Sequence, residues 1–558
     1  MTLAILTTLW MPTDAQACGG FFCNRDPIDQ AGEDIVFKVD TERGRTEMHV
    51  QVAYEGSAEE FAWIVPVGGE PELKLSTDAL FQSLEWVTAP RFSLETKGVG
   101  DCDFDVPFGY YYGYALDASA GGSPPSPSPE DDGVTVVSEQ EVGPYETVVL
   151  RAESSAQLLD WLQNNQYILP DELDPVLAPY VADEAYFVAL RLGKNSDVGD
   201  LQPLALSYPG TAMSVPIRLT AIAATDDMRM RAFVFGDERA VPESYLHVVV
   251  NDLVVDWFRW GSNWEDAITI AANEAGGNAF ATDYSGPADV LENALYQEGR
   301  FDTERLAAST DVFSFFDELL SQGFSGSSLM LELFREFVPI PAEFADTVFE
   351  QDFYNCLRCD PWASAVAAQP FDAAGFAAAI QTRIVEPLVD AQALIDDSAH
   401  LTRLTSSISP VEMTVDPTFV FNADMEQSVP LERSATVELL CEEGKAFTDV
   451  ERRLVLADGR AYRLPSMQWF WDRGTTEYEF LSGLMDDFAL LIERTSGEGP
   501  PVPLYDGRER AVEIAEGHNA TFGPLPGACG CSTTSGPLGA SLGLAGALGL
   551  VLLRRRRS

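Results

Sequence analysis

The sequence predicts an α+β protein. Strand patterning dominates before residue 285, helical spacing dominates from about 286 to 408, and strand patterning returns from Val411. No repeat with a period of roughly 20–50 residues is visible, which argues against a solenoid or propeller. Strands and helices in separate blocks favour α+β over an alternating α/β fold. The chain has 558 residues, of which 46% are hydrophobic and 11% aromatic. That is enough to build a sizeable core, and it excludes a chain disordered throughout.

The first block reads as strands. The runs 34–39 and 47–54 flank a turn at Arg43-Gly44, and the second alternates apolar with polar residues. The run 61–67 is a more apolar strand. Thr77 or Asp78 caps a short helix through Trp86, and 91–96 is a further strand. Residues 118–133 hold Gly-Gly, three Ser-Pro pairs and an acidic patch, as expected of a mobile surface loop. Strands resume at 134–137 and 146–150. Short helices follow at 158–162 and 173–181, then buried strands at 186–192, 217–223, 231–235 and 246–250. Ser262 to Glu265 has the form of a capping box, and Gly276-Gly277 supplies the helix stop. Helical spacing appears at 291–295, 313–320, 329–337 and 373–388. Residues 455–462 read as a hairpin turning at Asp458-Gly459.

The two ends carry sorting information. An apolar run from Met1 to Met11 is too short to span a bilayer, and Ala15-Gln16-Ala17 is an A-x-A cleavage pattern. We read a secretory signal cut after Ala17, which leaves Cys18 first. The C-terminus has Cys529 and Cys531, a small polar spacer, an apolar stretch from Pro537 to Leu553, and the cluster Arg554, Arg555, Arg556 and Arg557. That stretch suits a C-terminal hydrophobic helix at the lower length limit for spanning, with the arginines held cytoplasmic. The tripartite tail resembles the MYXO-CTERM sorting signal of myxobacteria. The resemblance implies processing at Cys529 or Cys531 and display at the cell surface.

The expected organisation is a signal peptide over 1–17, a β-rich α+β domain over 18–285, a helical region over 286–408, a β-rich part over 409–526 packing on the core, and the sorting tail over 527–558. The net charge is −53, from 35 basic and 88 acidic residues. Such a balance excludes a nucleic-acid footprint and docking on anionic lipid. Removing both ends takes away Asp14 and four arginines and moves the charge from −53 to −56. The expected partners are the membrane, through the tail, and the export and sorting machinery.

Cys18 to Cys23, Asp29 to Glu33, Phe61 to Val67, Arg218 to Ala224 and Glu274 to Gly277 together resemble the bacterial family catalogued as domain of unknown function 2330. The likeness covers most of residues 18–300. It implies an exported bacterial protein and no particular reaction.

Outside the tail there are six cysteines: Cys18, Cys23, Cys102, Cys356, Cys359 and Cys441. An even number in an exported chain reads first as disulfides. The short spacings favour local Cys18–Cys23 and Cys356–Cys359 bridges, with overall connectivity left open. Cys356-Leu357-Arg358-Cys359 is also a C-x-x-C, and Arg358 is a cation that could stabilise a thiolate. A four-cysteine zinc site is a further reading of the two short pairs. Asp101, Asp103 and Asp105 alternate as at the start of a calcium loop, but the remaining EF-hand positions do not follow. Apart from these readings of zinc and calcium, no cofactor is expected. Trp257, Trp260 and Trp264 could stack on sugars or pack in the core. No H-E-x-x-H, Walker or dinucleotide loop occurs, and G-x-S-x-G occurs only at Gly539 to Gly543, inside the apolar tail, so no catalytic residue is assigned. The leading expectation is a non-enzymatic, surface-anchored envelope protein that binds or scaffolds. The alternative is an exported thiol-disulfide oxidoreductase using Cys356 and Cys359.

Overall fold

The computed structural model describes residues 21–22, 29–55, 62–100, 102, 134–165, 167, 173–192, 202–292, 294–297, 299–324, 327–345 and 347–523. Its frame is a mixed sheet of ten strands. Their order is Val502–Asp506, Ala489–Arg494, Leu246–Val250, Ala279–Pro287, His400–Ile408, Ala224–Gly236, Asp29–Asp40, Arg45–Glu55, Leu204–Pro209, Glu72–Leu75. Neighbours are antiparallel except where Ala224–Gly236 meets Asp29–Asp40 and Leu246–Val250 meets Ala279–Pro287.

Strand residues alternate between faces, and here both faces are covered. Ile35, Phe37, Met48 and Val50 pack against Val65, Val149, Val188 and Leu190 of a second sheet. That sheet runs Phe21–Phe22, Ala62–Val67, Tyr186–Leu192, Tyr145–Ala152, Val134–Val142. Its outer face carries the helices Ser155–Asn164 and Leu173–Ala182, through Leu158, Leu162 and Leu177. On the opposite face of the main sheet, Val36, Phe233 and Phe235 meet the helices Asp78–Thr88 and Glu386–Asp396. A four-stranded sheet, ordered Ala461–Leu464, Glu451–Val455, Glu432–Leu440, Arg91–Val99, packs with the helix Trp264–Glu274.

The helical region has its own core, with Phe315, Phe334 and Phe376 at its centre. It is inserted between two paired strands, because Pro287 and His400 face each other across the ladder. The α+β class, the β-rich N-terminal half and the helical middle therefore stand as read from the sequence.

Several elements differ from the sequence reading. The run 217–223 is the one-turn helix Ile217–Thr220, with the strand beginning at Ala224. Ile217 and Leu219 are buried in two different cores, so burial rather than pleating explains the apolar run. The helical region stops at Asp396, and His400–Ile408 is a strand of the main sheet. Leu401, Leu404 and Ile408 have helical spacing, while the intervening Thr and Ser residues are buried as well, which hides the period of two. Part 409–526 supplies strands to three sheets rather than forming a layer of its own.

The capping box at Ser262 to Glu265 does not form. The Asn263 side chain instead accepts from Asp256 N and donates to Val254 O. The Gly276-Gly277 stop does form, with Gly277 at φ +82° and its N–H donating to Ala272 O. A Cβ on Gly277 would sit 2.1 Å from the Glu412 carboxyl carbon, so a side chain there must displace that carboxylate and strain the backbone. The expected C-terminal helix lies outside the described residues, as do the signal segment and loop 118–133. Among the described residues no helix is long and apolar enough to cross a membrane.

Candidate functional site

Ala17, Cys18, Cys23, Asp101, Asp103, Asp105, Cys529, Cys531, Arg554, Arg555, Arg556 and Arg557 lie outside the described residues. The other four cysteines form two bridges. Cys102–Cys441 joins positions 339 residues apart, and Cys356–Cys359 is local. Cys102 follows the strand Arg91–Val99 and Cys441 follows its parallel neighbour Glu432–Leu440, so the first bridge clamps one end of that pair.

Cys356 is the C-cap of the helix Glu350–Asn355, and Cys359 is exposed on the following turn. A helix C-terminus carries partial negative charge and disfavours a thiolate. Arg358 does not offset this. Its guanidinium is bidentate on Asp317, at 2.7 and 2.6 Å, and lies over the Phe313 ring. A shallow apolar trough of about 340 Å³ is walled by Phe344, Phe349, Pro361 and Trp362, and Trp362 Nε1 donates to Cys356 O at 2.8 Å. The tryptophan group divides. Trp257 and Trp264 are buried, with Trp264 Nε1 donating to Asp283 Oδ1 at 2.8 Å, and Trp260 alone is exposed.

Two buried polar clusters have no short-range sequence signal. The first joins the segments 29–33 and 218–224. Glu33 is 4% exposed and accepts from Gln30 Nε2 at 3.2 Å. Burial, with the nearby Asp34 and Asp416 charges, pushes its carboxyl up to about 7. The Gln30 Oε1 atom is sealed from solvent without a partner among the described residues. Alongside, Asp416 holds Arg218 through backbone N and guanidinium and accepts from the Tyr180 hydroxyl at 2.9 Å.

In the second cluster, His247 Nδ1 meets Glu493 Oε2 at 3.3 Å and His247 Nε2 meets Thr282 Oγ1 at 3.0 Å. This is the carboxylate–imidazole–hydroxyl order of a nucleophilic triad. The Thr282 hydroxyl is already engaged by Arg239 Nη2 at 3.0 Å, and both Thr282 and His247 are buried. A nucleophile needs an open approach, so the arrangement is a closed core network, in which Arg239 Nε finds no partner among the described residues. Burial holds the imidazole below its ordinary range, which favours the neutral ring.

The open site lies elsewhere. A cleft of about 520 Å³ separates the helix Asp78–Thr88 from the helical insertion. Gln202 lines it at 8% exposure, but both its carboxamide atoms are sealed from solvent behind the wall, with no hydrogen-bond partner among the described residues. An unmade bond on a buried amide costs about 1–3 kcal/mol, so a closed pair of such atoms calls for a reason. Arg300 and Arg383 also line the cleft. Arg383 sits in a π-helical turn, Gln381–Val385, and pairs with Glu332 and Glu336. Arg300 lies over the Phe301 ring and has no ion pair among the described residues. None of these residues stands out in the sequence, because the cleft brings together segments far apart in the chain. No cluster of His, Cys, Asp and Glu suited to a metal occurs among the described residues.

The fold and sites define an α+β protein with interleaved sheets, closed polar clusters and a polar cleft at an inserted helical module. Residues 12–290, half of the chain, match the family described as uncharacterized protein conserved in bacteria, DUF2330, and the chain belongs to that family. No curated protein and no solved structure matches the chain.

Proposed function

We propose that the chain is an exported bacterial envelope protein, anchored at the cell surface through its C-terminal tail, that acts by binding a small molecule in the cleft between the helix Asp78–Thr88 and the helical insertion. The carrying observation is the cleft itself, about 520 Å³, open beside the helix Asp78–Thr88 and lined by Arg300 and Arg383. Ligand sites are concave, with an apolar lining and a few placed polar groups. Here Leu295, Phe301 and Phe324 provide the apolar part. Export is supported by the A-x-A pattern, the Cys and Arg tail, and two disulfides, which belong to oxidising compartments. Cell fractionation with surface proteolysis tests the location, and a purely cytosolic protein keeping Arg554 to Arg557 overturns it. A melting screen against small polar molecules tests the binding, with Arg300→Gln as the control that should reduce any shift.

A second reading is kept for the exposed Cys359 beside its apolar trough, a place where a substrate thiol could dock. In that reading the protein is a thiol-disulfide oxidoreductase. The helix C-terminus at Cys356 and the diversion of Arg358 to Asp317 weigh against it. Structural bridges have potentials below about −300 mV, and exchange-active ones lie higher. The potential of Cys356–Cys359 therefore separates the two readings.

A further inference from the structure

A serine in the wall of the cleft is joined to a histidine and a glutamate, and a chemical role for the three rests on the cleft being the binding site. The strand Arg45–Glu55 lies between Asp29–Asp40 and Leu204–Pro209 in the main sheet. Its side chains alternate between faces, so Glu47, His49 and Gln51 share one. That face meets the junction where the edge strand Glu72–Leu75 passes into the helix Asp78–Thr88. Gln51 Nε2 donates to Asp78 Oδ1 at 2.7 Å. His49 Nδ1 lies 2.7 Å from Ser76 Oγ, and His49 Nε2 lies 3.0 Å from Glu47 Oε1. A carboxylate only accepts, so Nε2 donates to Glu47 and Nδ1 of the neutral ring accepts from the hydroxyl. Burial acts to raise the Glu47 carboxyl, but the His49 hydrogen bond and the Lys38 and Lys74 charges outweigh it and hold the group below its ordinary range, as the anion.

This is the hydroxyl–imidazole–carboxylate order of a nucleophilic triad, and it differs from the cluster at His247 in two respects. Ser76, although only 3% exposed, is part of the cleft wall, which Thr282 does not border. No cation engages the Ser76 hydroxyl among the described residues, whereas Arg239 holds that of Thr282. The local backbone suits the role as well. Ser76 N–H donates to Pro203 O at 2.7 Å, which fixes the serine at the end of its strand, and Thr77, the next residue, is the helix N-cap. In hydrolases with a strand–serine–helix nucleophile, the N–H of the residue after the serine helps to hold the oxyanion, and a helix start adds partial positive charge. The glycines of G-x-S-x-G are absent, with Lys74 and Asp78 at those positions, so the pattern is not legible as a motif.

We propose that Ser76 is a nucleophile with His49 as its general base and Glu47 positioning the ring, and that the cleft takes a small ester whose short apolar acyl chain lies against Leu295, Phe301 and Phe324. Ser76 Oγ bonds to the acyl carbon as its proton passes to His49 Nδ1. The ester C–O bond breaks, and the alcohol leaves with that proton. Water then gives a proton to the same nitrogen and attacks the acyl-serine. Ser76 recovers the proton, and the carboxylic acid departs.

Three probes on the full chain test this. A fluorophosphonate marks an activated serine, p-nitrophenyl butyrate reads turnover, and N-butylbutanamide, an unreactive analogue, reads binding alone by calorimetry. The expected result is one phosphonate adduct, on the peptide holding Ser76, and release of nitrophenol with an initial burst. The adduct is mapped on the unaltered chain, so it does not depend on a variant folding. Ser76→Ala and His49→Gln should each lower kcat/KM by at least about a hundredfold, and Ser76→Ala should keep its affinity for the amide. Glu47→Gln should lower kcat about tenfold with KM unchanged, a split that a merely structural role would not give. Ser496→Ala, whose hydroxyl donates to Glu498 O, should leave both labelling and turnover as they are. Amide binding with neither adduct nor turnover overturns the nucleophile and leaves the binding reading standing. An adduct on another serine, or turnover that survives Ser76→Ala, does the same. Absence of binding, adduct and turnover on folded protein overturns both.

Discussion

At the scale of the residue, the most informative group is Glu33, a carboxyl held near neutrality inside a strand. Its pKa is raised to about 7 from an ordinary 4.5. A carboxyl raised on folding binds its proton more tightly in the folded state. Its contribution is therefore fully present below about pH 4.5 and is lost as pH rises through about 7. Glu33→Gln should be more stable than the parent at pH 8, by up to a few kcal/mol, with the difference closing towards pH 4.5. Denaturant titrations at several pH values read this directly, and a pH-independent difference would remove the assignment. His247 has the opposite sign. Its imidazole is lowered on folding, so the stability it contributes is present above the ordinary histidine range, about 6.5, and falls as pH drops below it. Neither residue is legible as special in the sequence. Glu33 stands within a segment that resembles a family motif, but Asp416 and Thr220, which shape its environment, lie far along the chain. Gln202 and Arg300 are silent for the same reason.

At the scale of the element, the two disulfides should differ. A bridge stabilises mainly by restricting the unfolded chain, and more so for longer loops. Cys102–Cys441 spans 339 residues and Cys356–Cys359 spans three. Replacing Cys102 and Cys441 by serine should cost about 2–5 kcal/mol, and the same change at Cys356 and Cys359 clearly less. Thermal melts of the two double variants compare them, and a larger loss at the short bridge would contradict this account. Elements are legible in the sequence where amphipathic patterning is clean. The hairpin turning at Asp458-Gly459 pairs Val455 with Ala461, and the helix expected from Thr77 or Asp78 is capped by Thr77. They are hidden where both faces are buried. The strand His400–Ile408 and the turn of helix at Ile217–Thr220 present buried residues in all directions, so period carries no information there.

At the scale of the whole molecule, the family match ends at residue 290, yet the main sheet does not. The strand His400–Ile408 lies between Ala224–Gly236 and Ala279–Pro287, and Ala489–Arg494 closes the other side of Leu246–Val250. A chain ending at residue 290 should therefore lack a cooperative melting transition, while the chain through residue 523 retains one. A sharp transition in the shorter chain would show that the matched half folds alone. The acidic balance acts at this scale too. Self-repulsion at −53 should be relieved as salt shortens the screening length to about 8 Å near 0.15 M, so Tm should rise with NaCl. Calcium should exceed matched sodium only if Asp101, Asp103 and Asp105 bind it. A Tm indifferent to salt would mean that the charge serves solubility alone.

On our proposal, the cleft at the helical insertion is where this protein meets its ligand. Hydrogen–deuterium exchange on the full chain, with and without the small polar molecule that gives the largest shift in the melting screen, locates binding without presuming it. The account predicts slowed exchange at 76–83, 327–331 and 381–385, and unchanged exchange at 344–362 around the Cys356–Cys359 trough. Protection confined to 344–362, or none at the cleft, would contradict it.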